Sequence, residues 1–134
     1  MQETILRTDL LKRLERRLSK RPVVALLGAR QVGKTTLARN HASGVDGEIS
    51  FFDLERPSDH AALSANPEQI LSQAEGLVVI DEVQRMPELF TLLRPLVDSP
   101  ERRAQFLLLG SASWDLVKGI SETLAGRIAF INVG

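Results

Sequence analysis

The tightest constraint on this chain is a run of eight residues, Gly28-Ala29-Arg30-Gln31-Val32-Gly33-Lys34-Thr35, set between two segments of different periodicity. Before it, Val23 to Leu27 is continuously apolar and flanked by Pro22 and Gly28, the pattern of a short strand buried on both faces. After it a helix is predicted from about Lys34 to His41, broken by Gly44 and Gly47. The spacing G-x-x-x-x-G-K-[ST] between a strand and a helix lets successive backbone N–H groups point inward as an anion nest, with the positive end of the helix dipole behind them. Glycine is needed there because a side chain would forbid the backbone angles or block close approach of an anion.

The rest of the chain repeats the strand and helix alternation. Ile49 to Leu54 reads as a second strand, and Ser58 to Gln73, interrupted by Asn66 and Pro67, as one or two short helices. Leu77 to Ile80 is a third strand, introduced by Gly76. A helix is expected from about Pro87 to Val97, a fourth strand from Gln105 to Leu109, a helix from Trp114 to Leu124 and a fifth strand from Ile128 to Val133. Such alternation implies right-handed crossovers, a parallel sheet and a three-layer α/β fold. One domain covering 1–134 is expected, since 134 residues suffice for one core but not two. It opens with an amphipathic helix over about 4–20, whose stripe is Ile5, Leu6, Leu10, Leu11, Leu14 and Leu18. Lys12, Arg13, Arg16 and Arg17 fall opposite that stripe and read as a solvated face ahead of a docking surface.

An eight-residue nest of this kind grips the phosphates of a nucleotide. Lys34 would reach the β- and γ-phosphates and the Thr35 hydroxyl would ligate Mg²⁺, while Thr36, at the margin of the binding loop, reads as a helix residue more than a ligand. The third strand ends in Asp81 and Glu82. Ligands of open parallel sheets bind beyond the carboxyl ends of the strands, so the acids should emerge beside the loop. Asp81 would hold the Mg²⁺, directly or through water, and Glu82 would orient or deprotonate a water attacking the γ-phosphate. A glutamate placed for water suits a hydrolase rather than a small-molecule kinase. No Asn-Lys-x-Asp sequence follows a strand, so ATP is favoured over GTP.

Two later residues each have two readings. Ser111, after the fourth strand, is either a contact to the γ-phosphate or attacking water, or a turn or N-cap serine, with Ser113 available for the capping. Arg127 is either an arginine finger, supplied within the chain or by a neighbouring subunit, or a helix-end arginine satisfying carbonyls.

Charge and composition limit the partners. Seventeen Lys plus Arg balance seventeen Asp plus Glu, so there is no global basic field for nucleic acid or an anionic membrane, and any nucleic-acid contact would have to be local. The absence of cysteine excludes disulfides and thiolate metal sites. No apolar run approaches the ~20 residues of a membrane span, and a cytoplasmic location is expected.

The series GARQVGKTT, FFDLE, LVVIDEVQRMPELF, FLLLGSAS and SETLAGRI resembles the AAA-type ATPase domain at the N-terminus of a widespread prokaryotic family of ATPases, whose members usually carry a C-terminal domain. The resemblance runs through nearly the whole chain. It implies a P-loop NTPase fold with a five-stranded sheet of order 5-1-4-3-2, and ATP and Mg²⁺ as ligands. It also implies an appended effector domain or protein partner and ring or dimer assembly. It places Lys34 and Thr35 on phosphate and metal, Asp81 and Glu82 as the Walker B pair, Ser111 at the sensor position and Arg127 at the finger position. The helical lid that follows such cores would lie beyond Gly134, so the chain reads as a piece of a longer protein. The expected function is an ATPase module that couples ATP binding and hydrolysis to an appended domain. The alternative is a nucleotide-sensing switch with little turnover, with a P-loop small-molecule kinase carrying low weight.

Overall fold

A computed structural model describes residues 2–29 and 33–133, the first six of these through their backbone alone. In chain order the elements are α1 (Gln2–Lys20), β1 (Val23–Leu27), α2 (Lys34–Ser43), β2 (Ile49–Asp53), α3 (Pro57–Ala65) and α4 (Pro67–Gln73). They continue with β3 (Glu75–Asp81), a 3₁₀ turn (Val83–Arg85), α5 (Glu88–Asp98), β4 (Arg103–Gly110), α6 (Trp114–Thr123) and β5 (Ile128–Asn132). The break at Asn66 and Pro67 makes two helices because a proline cannot continue the α3 hydrogen-bond ladder, whereas it suits the first position of α4.

All strand pairs are parallel, and the sheet order is β2-β3-β4-β1-β5, which read from its other edge is the expected 5-1-4-3-2. β1, the most apolar strand, lies one in from the edge between β4 and β5, and all five of its residues are buried. Alternate strand residues face opposite layers, so each face builds its own core. Val23, Ala25 and Leu27 pack with Ile80, Phe106 and Leu108 beneath helices α3 to α6. Val24 and Leu26 pack with Val79, Leu107 and Leu109 beneath α1 and α2, through Leu14, Leu18, Leu37 and Ala38.

β3 and β4 are longer than the apolar runs suggest, because paired polar ends extend them. Glu75 registers with Arg103 and Asp53 with Asp81. Gly76 lies inside β3 at φ 77°, and a Cβ there would stand 2.1 Å from Glu48 O, so only glycine lets β3 lie this close to the chain entering β2. Leu54 leaves β2 to join the core, 2% exposed. No described helix is long and apolar enough to cross a membrane.

Candidate functional site

In a parallel sheet every strand delivers its last residue to the same edge. Here the carboxyl edge collects Gly28 and Ala29 after β1, Asp53 at the end of β2, Asp81 and Glu82 at the end of β3, and Gly110 and Ser111 at the end of β4. The start of the loop is tied to β4 by a 3.2 Å hydrogen bond from Gly28 N to Gly110 O. Gly33 takes the left-handed conformation at φ 91° and begins α2 with no side-chain cap, so no side chain competes for the first N–H groups of that helix. Arg30, Gln31 and Val32, assigned to the loop by sequence, lie outside the described residues.

Lys34 is 7% exposed, and its ammonium folds back onto the start of the loop, donating to Gly28 O at 2.7 Å and Ala29 O at 2.9 Å. The first helical residue after the loop thus brings a cation back to the two carbonyls that follow β1. Thr35 Oγ1 donates to Asp81 Oδ2 at 2.8 Å, so the two residues assigned to metal by sequence meet across 46 positions of chain. Thr36 is exposed on α2.

Asp81 is 7% exposed, and burial pushes its carboxyl above the usual range; the Thr35 hydrogen bond opposes the rise, while the charges of Asp53 and Glu82 add to it. Crowded carboxylates of this kind are relieved by a cation. Among the described residues no three His, Cys, Asp or Glu groups are disposed to hold an ion unaided. The donor set nevertheless fits Mg²⁺, which takes one or two carboxylates or hydroxyls and fills its octahedron with phosphate oxygens and waters.

Glu82 is the one non-glycine residue at positive φ among the described residues, at φ 58° and ψ 47°. Its N–H donates to Asp81 Oδ1 at 2.9 Å, and the 3₁₀ turn that follows swings Gln84 back so that Nε2 donates to Glu82 Oε2. Gln84 Oε1 is buried without a partner. A left-handed glutamate costs about 1–3 kcal/mol, a strain that persists only where surrounding structure imposes it. Asp53 and Gln84 are the site residues that the sequence did not single out. An acid at a second strand end was visible, but its place beside Asp81 depends on register, and Gln84 depends on a turn with no sequence signature.

Ser111 follows β4 half-buried at the carboxyl edge, beside the loop, and capping of α6 falls to Ser113, whose Oγ accepts from Leu116 N at 3.3 Å. Arg127 is elsewhere. β5 runs parallel to β1 with Ile128 opposite Val23, so Arg127 sits at the amino edge, roughly 16 Å of strand away from the loop. Its Nε donates to Asp98 Oδ1 at 2.8 Å and its Nη2 to Asp98 Oδ2 at 2.8 Å, while Nη1 donates to Ala125 O at 2.7 Å. Use of Arg127 within its own chain's site is therefore corrected: the parallel sheet sends it to the wrong edge.

Residues 20–134 match the model of a family described as an AAA domain. The uncharacterized protein Rv2008c of Mycobacterium tuberculosis is 50% identical over 127 residues, which are 95% of this chain and 28% of that protein. The chain therefore spans less than a third of that relative's length. Among solved structures it is similar to the Walker-type ATPase PABY2304 of Pyrococcus abyssi, with a TM-score of 0.67 and 20% identity over 95% of this chain and 53% of that one. It is also similar to the P-loop NTPase domain of the Sigma-54 transport activator from E. coli, with a TM-score of 0.57 and 19% identity over 93% and 96% of the two chains. At these identities the likeness to the solved structures is one of fold.

Proposed function

This chain belongs to the AAA domain family, and from that premise we propose that it binds ATP with Mg²⁺ at the carboxyl edge of its sheet and hydrolyses it, driving an appended domain or a partner protein. The observation that carries this is the meeting of Thr35 Oγ1 and Asp81 Oδ2 at 2.8 Å beside a buried Lys34, with Glu82 next in sequence. Lys34 neutralises the β- and γ-phosphates, held in place by its bonds to the loop carbonyls. Thr35 and Asp81 would hold the Mg²⁺, which when bound would offset charge on the phosphates. Glu82 takes the proton of, or orients, the attacking water. Ser111 contacts the γ-phosphate, and Arg127 acts on the site of a neighbouring subunit, the role that its amino-edge position leaves open.

Replacing Glu82 with Gln in the whole protein should leave ATP affinity within about twofold and lower turnover at least 100-fold, the scale of a lost general base. Unchanged turnover removes Glu82 from the role. A second reading, a switch that binds ATP and turns it over little, is favoured by the Gln84 bond that ties Glu82 back. Single-turnover hydrolysis slower than nucleotide dissociation would select the switch, and the reverse order the motor.

A further inference from the structure

The chain is neutral overall, yet its charge is not evenly spread. Ten residues from Lys12 to Arg21 hold six of the seventeen Lys and Arg and a single acid, Glu15; the remainder keeps eleven basic against sixteen acidic side chains. All six cations are exposed. Arg13, Arg16, Arg17 and Lys20 recur at three- and four-residue spacing and line one shallow depression on α1, and Glu15 stands off that stripe. Ion pairs among the described residues engage other groups, Arg103 with Glu75 and Arg127 with Asp98, and none of the six cations has one. Favourable interaction with the helix dipole accounts for Arg17 and Lys20, which stand in the last turn of α1, but not for Lys12, Arg13 and Arg16.

We infer that this face of α1 is a docking surface for the sugar-phosphate backbone of a double-stranded nucleic acid, bound without regard to sequence. Four cations along about 10 Å of helix axis match a polyanion with closely spaced charges, and three of the four are arginines, whose planar guanidinium forks pair bidentately with phosphate oxygens. The other polyanionic surface, a lipid bilayer, fits less well. A helix that lies on a membrane inserts its apolar side, and here Leu14 and Leu18 are 0% and 3% exposed, committed to the core beneath α1. The depression is lined by cations alone, with no ring on which an unpaired base could stack, so a duplex suits it better than a single strand. α1 packs on α2, the helix that begins at Lys34, which sets this surface one helix away from the proposed nucleotide site. The inference does not depend on nucleotide hydrolysis.

The test is fluorescence anisotropy of the 134-residue chain with a labelled 25-base-pair DNA duplex, across salt concentrations. Contacts to four phosphates predict a fall in affinity of roughly 100-fold between 50 and 200 mM salt. The double variant Arg16→Gln/Arg17→Gln should halve the slope of log affinity against log salt, so that the same change in salt costs about 10-fold. A charge-reversed variant, Arg13→Glu/Arg16→Glu/Arg17→Glu, should abolish binding while keeping the thermal unfolding midpoint. Should reversal unfold α1, the milder glutamine variant still decides the matter through its slope. Absence of duplex binding at 50 mM salt, an unaltered slope in the glutamine variant, or tighter binding to phosphatidylserine vesicles or to single-stranded DNA than to the duplex each overturns the inference.

Discussion

Substituting Gly110 by Ala probes how the core and the proposed catalytic glutamate are joined. Gly110 ends β4 with ordinary strand backbone, so the change carries no left-handed penalty. An ideal Cβ would stand 2.8 Å from Gln84 Oε1, 2.9 Å from Leu116 Cδ2 and 3.3 Å from Val83 Cγ1. Overpacking of this kind costs about 1–3 kcal/mol. Alanine in a strand recovers about 0.5–1 kcal/mol relative to glycine, leaving a net loss of about 0–2.5 kcal/mol. For a domain of this size that is a fall in Tm of up to roughly 8 °C. The side chain displaced most easily is Gln84, the one bonded to Glu82. Hydrolysis should therefore change while ATP affinity does not, because the bond from Gly28 N to Gly110 O uses only backbone. Urea unfolding with single-turnover hydrolysis reads both effects. In the Gly110→Ala/Gln84→Ala double variant the nearest obstacle is gone, so the two stability changes should fall short of additivity by about 0.5–1.5 kcal/mol. A Gly110→Ala protein more stable than the parent, or strict additivity in the double variant, would refute this coupling.

Gly76→Ala should be costlier, since it adds a left-handed penalty of about 1–2 kcal/mol to a 2.1 Å collision with Glu48 O. A loss of about 3 kcal/mol by urea unfolding is expected once the Leu77 N to Glu48 O bond also gives way. A loss below about 1 kcal/mol would show that β3 can shift away from Glu48 at little cost. The Asp98 and Arg127 pair should leave an acid signature. The hydrogen bond from Arg127, helped by its charge and that of Arg94, holds the Asp98 carboxyl below the usual carboxylate range. Its contribution is therefore complete above the ordinary value of about 3.9 and disappears as pH falls through the depressed one. The stability gap between the parent and Asp98→Asn should be widest near neutrality and narrow below about pH 4; a gap that stays constant through acid denies the pair a titrating role.

The fold was readable from residues because β1 and the centres of β3 and β4, residues 77–80 and 106–109, are continuously apolar and each is closed by Gly or an acid, a pattern that parallel, doubly covered strands share. Lys34, Thr35, Asp81 and Glu82 were readable because strand ends in such a sheet face one edge. What escaped depends on relations between distant segments. Asp53 stands opposite Asp81 only through the register of β2 on β3. The left-handed Glu82 and the 3₁₀ turn that carries Gln84 are imposed by packing around Met86 and Val83, both 0% exposed, against any local preference of the sequence. For Arg127 the direction of β5 was already implied by strand alternation; only its hold on Asp98 needed the folded chain.

The order of the sheet bears on how the chain is made. β1 is synthesised first among the strands, yet its two neighbours, β4 and β5, are the last to appear. A ribosome adding about 5–20 residues per second needs roughly 4–16 s to pass from Leu27 to Phe106. Throughout that interval Val23-Val24-Ala25-Leu26-Leu27 has no strand to pair with, while β2 and β3, adjacent in both sequence and space, can already form a ladder. The nascent protein thus carries this apolar segment without a strand partner until β4 emerges, and α1 and α2, which flank it in sequence and pack on the face of Val24 and Leu26, are the elements made early enough to shield it.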